Sequence, residues 1–220
     1  MKKSLLLAIS LAFASNATIL HAMGNISAGK EKSAPCAGCH GDDGNSPAST
    51  FPKLAGQHAS YLTKQLLAFK SADRNDAMMA PMAASLSEED IHDLAAFYAA
   101  AKVTPNPAPE IDKSIDAAAQ KSATEEMDKL VAEGRNLYRN GDINAQVSAC
   151  IACHGPFGDG NKPASYPLLK SQHADYIVKT LTDFKNGERS KNPDNMMNMI
   201  AKKMSEREIK AIAYYLSLQK

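Results

Sequence analysis

The sequence predicts an all-α protein made of two tandem copies of one small lobe. Three observations lead there: a long internal repeat, apolar residues spaced for helices in both copies, and one helix-start signature ahead of the last helix of each. The 220 residues, 22% charged and 44% hydrophobic, have an ordinary folded-protein composition, enough for one medium domain or two small ones.

The repeat is direct. "CAGCHGDDGNSPASTFPKLAGQHASYLTKQLLAFK", starting at Cys36, lies against "CIACHGPFGDGNKPASYPLLKSQHADYIVKTLTDFK", starting at Cys150, with one inserted residue. His40 pairs with His154, Pro52 with Pro167, Gln57 and His58 with Gln172 and His173, Tyr61 with Tyr176, and Phe69 with Phe184. Further on, "AMMAPMAASLSEEDIHDLAAFY" matches "NMMNMIAKKMSEREIKAIAYYL".

Taken in order, residues 1–22 read as a cleaved signal peptide: Lys2 and Lys3, an apolar run from Leu5 to Ala14, and a polar stretch ending at Ala22. The run is too short to span a bilayer. Cleavage is expected after Ala22, with Ala17 as a second candidate, and changes the formal net charge from +1 to −1. Residues 23–103 form the first lobe. There Tyr61, Leu62, Gln65, Leu66 and Phe69 share one helical face, and Ser87 with Asp90 forms a capping box stapled by Leu86 and Ile91. "TPNPAPE", residues 104–110, is an extended connector, since its three alternating prolines favour extended backbone. Residues 104–128 are assigned to this linker and an acidic insert without counterpart in the first copy; a helix-rich stretch follows it into the second lobe, residues 129–220. In that lobe Tyr176, Ile177, Leu181 and Phe184 repeat the helical face, and Ser205, Glu208, Met204 and Ile209 repeat the box and staple.

Lobes this small, and rich in loop, need something extra to hold a core. The only cysteines stand in "CAGCH" (Cys36, Cys39) and "CIACH" (Cys150, Cys153). A thioredoxin-like dithiol needs a βαβ setting that is missing here. Structural zinc needs both pairs at one ion, yet each pair sits in its own repeat. A disulfide across two residues is a strained structural bridge. Covalent haem fits: two thiols reach the vinyl groups of one porphyrin and the histidine that follows, His40 or His154, meets the iron.

The sixth ligand decides between electron transfer and chemistry at an open iron. Two methionine pairs match across the repeat, Met78 with Met196 and Met79 with Met197, and the spacing leaves both open. Met82 aligns with Ile200 and Met199 with Pro81, so neither is used twice. His58 and His173 also match and offer a bis-histidine alternative.

Two Cys-x-x-Cys-His domains, each followed by Phe/Tyr-Pro-x-Leu-x-x-Gln, a helix, and a methionine ahead of a serine cap, resemble the dihaem cytochrome c4 family over nearly the whole mature chain. The resemblance implies tandem class I cytochrome c domains, each wrapped around one covalently bound haem. It implies Met79 and Met197 as axial ligands, with the Pro52 and Pro167 carbonyls accepting the Nδ1 proton of His40 and His154. Pro52 stands twelve residues after His40 and Pro167 thirteen after His154, so the second match requires a one-residue bulge. Met204 in place of the usual Leu and the length of the acidic insert depart from the family pattern. The implied function is a periplasmic electron carrier between respiratory redox proteins, feeding a membrane terminal oxidase. The alternative is a dihaem subunit of a flavin-linked sulfide or thiosulfate dehydrogenase, or a peroxidase.

Net charge is −2 over residues 23–104, −4 over 105–128 and +5 over 129–220. Such a dipole suits transient docking to an oppositely charged redox protein or a membrane surface. The basic residues are not interleaved with stacking aromatics, which argues against nucleic acid.

Overall fold

The computed structural model describes residues 24–190 and 195–220. The signal-peptide reading of residues 1–22 lies outside the described residues. The N-terminal lobe contains α1 (Ile26–Lys32), α2 (Ala34–His40), α3 (Ala59–Lys70), α4 (Met79–Ala84) and α5 (Glu88–Ala100). The C-terminal lobe contains α6 (Ala117–Asn140), α7 (Ile151–His154), α8 (Ala174–Asn186), α9 (Met196–Ala201) and α10 (Glu206–Ser217). Among the described residues there is no strand beyond two isolated bridges, Asp142 with Val147 and Asn161 with Tyr166.

The capping boxes start α5 and α10 as the sequence indicates. Ser87 Oγ accepts from Asp90 N at 3.1 Å while Asp90 Oδ2 accepts from Ser87 N at 2.9 Å. Ser205 and Glu208 repeat the exchange at 3.2 and 2.6 Å. The turn ahead of each box is tied down by the same lysine, Lys70 Nζ donating to the Leu86 carbonyl and Lys185 Nζ to that of Met204. Because a carbonyl is the acceptor, the exchange of Leu for Met at 204 leaves this contact intact, and the Met204 side chain fills the core of its lobe.

Each lobe is closed by its first helix crossing its last, α1 against α5 and α6 against α10. A glycine stands at each crossing. A Cβ at Gly29 would lie 2.0 Å from the Asp93 carbonyl oxygen, and one at Gly134 would lie 2.0 Å from that of Ala211. Only glycine permits such backbone approach. In the N-terminal lobe the crossing is also pinned electrostatically: Lys32 Nζ lies 2.6 Å from Asp93 Oδ2 and 2.8 Å from Asp90 Oδ1, and Asn25 N donates to Asp93 Oδ1 at 2.6 Å.

Helix α6 joins the acidic insert to the C-terminal lobe without a break, so residue 128 falls within it. Asp116 caps its start, accepting from Ala119 N at 2.9 Å, and Gly141, at φ 69°, ends it. Arg207 of α10 reaches back to Glu126 and Glu133, both at 2.8 Å, an exposed pairing of small net worth. The connector is seamed to both lobes: Lys53 Nζ donates to the Thr104 carbonyl at 2.6 Å, and Asn106 Nδ2 lies 3.0 Å from the carbonyls of Ser171 and Gln172.

Gly134→Ala is expected to cost about 1–3 kcal/mol through forced separation of α6 and α10, measured by guanidinium unfolding followed by far-UV circular dichroism. Gly38→Ala, which copies Ala152 of the second repeat and meets nothing within 4 Å, is the control and should not destabilise. Burial pushes the Asp93 carboxyl up, but Lys32 and the Asn25 N–H outweigh it and hold it below its ordinary value. A depressed carboxylate stabilises the fold above its unfolded pKa of about 4 and loses that contribution as the pH falls. Protection factors for hydrogen exchange at α1 should therefore fall below about pH 4, and Asp93→Asn should reduce that acid-dependent loss, leaving the part that Asp90 on the same lysine contributes.

Candidate functional site

Each site is assembled from a short helix and the loop after it. Helix α2 ends on His40, and Gly41, at φ 78°, turns the chain away; α7 ends on His154, and Gly155 turns at φ 76°. The loop then returns on itself, the Gly44 carbonyl accepting from Leu54 N at 2.7 Å and that of Gly158 accepting from Leu169 N at 2.7 Å. This fixes the proline next to the histidine. His40 Nδ1 lies 2.9 Å from the Pro52 carbonyl oxygen, and His154 Nδ1 lies 3.1 Å from that of Pro167. The extra residue of the second copy lies between Gly158 and Pro167, where Asn161 and Tyr166 exchange two backbone hydrogen bonds of 3.0 Å. That tight turn absorbs the inserted residue and lets Pro167 reach the same place as Pro52.

Both histidines are buried, 6% and 7% exposed. Burial pushes each imidazole below the ordinary histidine range, against a smaller upward pull from the proline carbonyl. Both rings are therefore neutral at pH 7, with the proton on Nδ1 and the lone pair on Nε2, as a metal-ligating imidazole requires. The four thiols are half-buried and unpaired, and Cys36 and Cys150 pack against the apolar cores of their lobes. Burial pushes the Cys150 thiol up to about 11. Two unpaired thiols and a neutral, oriented imidazole on one short apolar-backed helix are a donor set that fits covalent haem.

The methionines separate. In the N-terminal lobe Met78 is 55% exposed and Met82 42%, whereas Met79 is half-buried at the start of α4, its N–H held by Asp76 Oδ1 at 3.0 Å. In the C-terminal lobe Met199 is 59% exposed; Met196 and Met197 are both half-buried, and Met197 packs against the same core as Cys150. His58 and His173 begin α3 and α8 at the contact between lobes, where His173 Nε2 lies 2.9 Å from the Ser46 carbonyl oxygen of the opposite lobe. That bond occupies Nε2 of His173, whereas His58 Nε2 is buried without a hydrogen-bond partner.

Sequence reasoning assigned no role to the residues that join the lobes. Gln57 Oε1 accepts from Leu168 N at 2.9 Å and its Nε2 donates to the Leu168 carbonyl at 3.0 Å; Gln172 does the same with Lys53, both at 2.9 Å. Beside them, Arg74 lies over the Phe69 ring and donates to Tyr176 Oη at 3.2 Å, while Arg189 lies over Phe184 and donates to Tyr61 Oη at 3.0 Å. Both guanidiniums also reach Gln65 Oε1, at 2.6 and 2.8 Å. Burial pushes the Tyr176 phenol up, but the two arginines more than offset it and bring it to about 8. Each glutamine–backbone and arginine–tyrosine contact has its repeat-related copy, so the lobes meet about a pseudo-two-fold axis that only the Gln65 contacts break. The available signal was the exact repetition of polar residues, Gln57 with Gln172 and Tyr61 with Tyr176, at positions where a solvated surface would not demand it.

Comparison with known proteins agrees with this geometry. The family model "Cytochrome c" matches residues 26–102 and again 131–219. The chain is 40% identical over 208 residues to cytochrome c4 of Azotobacter vinelandii, covering 90% of each. It is 35% identical over 189 residues to the thiosulfate dehydrogenase electron acceptor of Thiomonas intermedia, covering 86% of this chain and 80% of that one. Among solved structures, reduced recombinant cytochrome c4 from Pseudomonas stutzeri superposes with a TM-score of 0.78 at 35% identity, over 90% of this chain and all of that one.

Replacing Cys36 and Cys39 together with alanine should halve the haem that stays attached after denaturation, as read by the pyridine haemochrome spectrum. Replacing Cys150 and Cys153 should remove the other half.

Proposed function

The chain belongs to the dihaem cytochrome c4 family, and on that premise we propose that it carries single electrons through the periplasm between respiratory redox proteins, with a membrane terminal oxidase as acceptor. Two covalently bound haems are its cofactors, anchored at Cys36 and Cys39 and at Cys150 and Cys153. It is an electron carrier rather than an enzyme.

The observation that carries the reading is the duplicated histidine–proline bond, His40 on the Pro52 carbonyl and His154 on the Pro167 carbonyl. These two imidazoles would hold the irons, with Met79 and Met197 as the second ligands. The half-buried position of Met79 beside an exposed Met78 supports the choice in the first lobe, and the packing of Met197 with the Cys150 core supports it in the second. The haem supplies reversible one-electron chemistry, and a soft thioether opposite imidazole favours the reduced state and a high potential. Four ligands for two irons leave no position for substrate. The residues around each site hold the imidazole at a set angle through one backbone carbonyl, so reorganisation between oxidation states is small.

The signal-like residues 1–22 support periplasmic placement. Among the described residues no helix is long and apolar enough to cross a membrane. The basic C-terminal lobe, +5 against −2 for the N-terminal one, is the face suited to an acidic redox partner or an anionic membrane surface. A second reading, a subunit accepting electrons from a thiosulfate dehydrogenase, is favoured by the likeness to the Thiomonas intermedia protein; a peroxidase would require one iron to open.

Met79→Ala and Met197→Ala should each remove half of the far-red sulfur-to-iron charge-transfer band and open one haem to carbon monoxide. Met78→Ala should leave the band intact and both haems closed. Carbon monoxide binding to one haem of the unsubstituted protein would favour the peroxidase reading. Rapid reduction by thiosulfate only when a thiosulfate dehydrogenase is added would favour the subunit reading.

A further inference from the structure

We propose that Gln57 and Gln172 are positioning residues that tune the haem of the opposite lobe, each by polarising the peptide group that anchors the other lobe's axial histidine. The inference rests on His40 and His154 as iron ligands.

One peptide group serves two bonds in each lobe. The peptide between Pro52 and Lys53 takes the His40 Nδ1 proton on its carbonyl, at 2.9 Å, and gives its N–H to Gln172 Oε1, also at 2.9 Å. The peptide between Pro167 and Leu168 takes the His154 proton at 3.1 Å and gives its N–H to Gln57 Oε1 at 2.9 Å. Each relay thus runs imidazole, peptide, glutamine, and crosses from one lobe to the other.

The glutamine amides cannot turn without loss. Gln172 Oε1 also accepts from His173 N at 3.0 Å while Nε2 donates to the Lys53 carbonyl; Gln57 Oε1 also accepts from His58 N at 3.0 Å while Nε2 donates to the Leu168 carbonyl. A flipped amide would set donor against donor and acceptor against acceptor. Both glutamines are buried, 5% and 6% exposed, where hydrogen bonds in series strengthen one another.

The sign follows from the polarisation. An acceptor on the peptide N–H shifts electron density toward its carbonyl oxygen. A more negative oxygen draws the Nδ1 proton, and the imidazole becomes a stronger donor, favouring the oxidised state. Removing the glutamine acceptor weakens the chain and raises the potential of the opposite lobe's haem. A glutamine acting only as a latch between lobes would disturb both haems together.

Spectroelectrochemical titration of the full-length holoprotein tests this, with the two couples assigned to lobes by Met79→Ala and Met197→Ala, each of which displaces one of them. Gln172→Leu should shift the N-terminal couple toward the reduced state by roughly three-fold in equilibrium constant, ~30 mV at ~59 mV per decade for one electron, and leave the C-terminal couple in place. Gln57→Leu should do the reverse. Gln172→Glu, with its carboxyl protonated, keeps both bonds, the carbonyl oxygen accepting from Lys53 N and the O–H donating to the Lys53 carbonyl, and should hold the N-terminal couple close to its unsubstituted potential. Equal shifts of both couples, a shift confined to the glutamine's own lobe, or no shift in either leucine variant overturns the proposal. His40→Ala leaving the N-terminal haem spectrum unchanged would instead remove the ligand assignment, and the inference with it.

Discussion

The hydrogen bond between the Nδ1 of the Cys-x-x-Cys-His histidine and a proline carbonyl organises each lobe. It forms only if the chain leaves the Cys-x-x-Cys-His helix sharply, at Gly41 or Gly155, and returns through a loop gathered on the Gly44 or Gly158 carbonyl. With the loop in place, the helix that follows starts at His58 or His173 with its apolar face toward the core. The bond also decides the tautomer of a buried, neutral ring. The fold therefore sets the imidazole's chemistry through its backbone, and the extra residue of the second copy is absorbed in a separate turn rather than at the histidine.

The same proline peptides are where the two lobes meet. Four glutamine–backbone bonds, two buried and two part-buried, and two arginine–tyrosine contacts cross the junction, each matched by its repeat-related partner. Each buried bond is worth about 1 kcal/mol net, and leaving its partner unsatisfied costs about 1–3 kcal/mol. Such a junction resists opening by more than its net strength suggests. The connector adds to it, since Asn106 and Thr104 are hydrogen-bonded to opposite lobes. Two sites held in one body suit a protein that takes an electron at one lobe and releases it at the other.

Much of this was legible in the sequence because it depends on local spacing. Capping boxes are read from two residues three apart and helical faces from a period, while the histidine–proline pair came from the family resemblance. What was not legible depends on distant approach. Gly29 and Gly134 mark the helix crossings, but a single glycine in a helical stretch does not say which carbonyl it faces. Helix α1 is seven residues, too short to carry a clear period, and it is held by Asp93 some sixty residues on. The repeat alone left Met78 and Met79 open; the family resemblance implies Met79, and the exposure of Met78 supports it. The glutamine and arginine pairs were visible as repetition, but their meaning required the other lobe.

The proposed ligand set closes each iron with one nitrogen-bearing and one sulfur-bearing side chain. Iron K-edge absorption of the holoprotein, recorded in both oxidation states, reads this directly. Two closed irons give one sulfur scatterer each, retained on oxidation. An average near half a sulfur per iron, or none, would contradict it by showing a lobe that is bis-histidine or open.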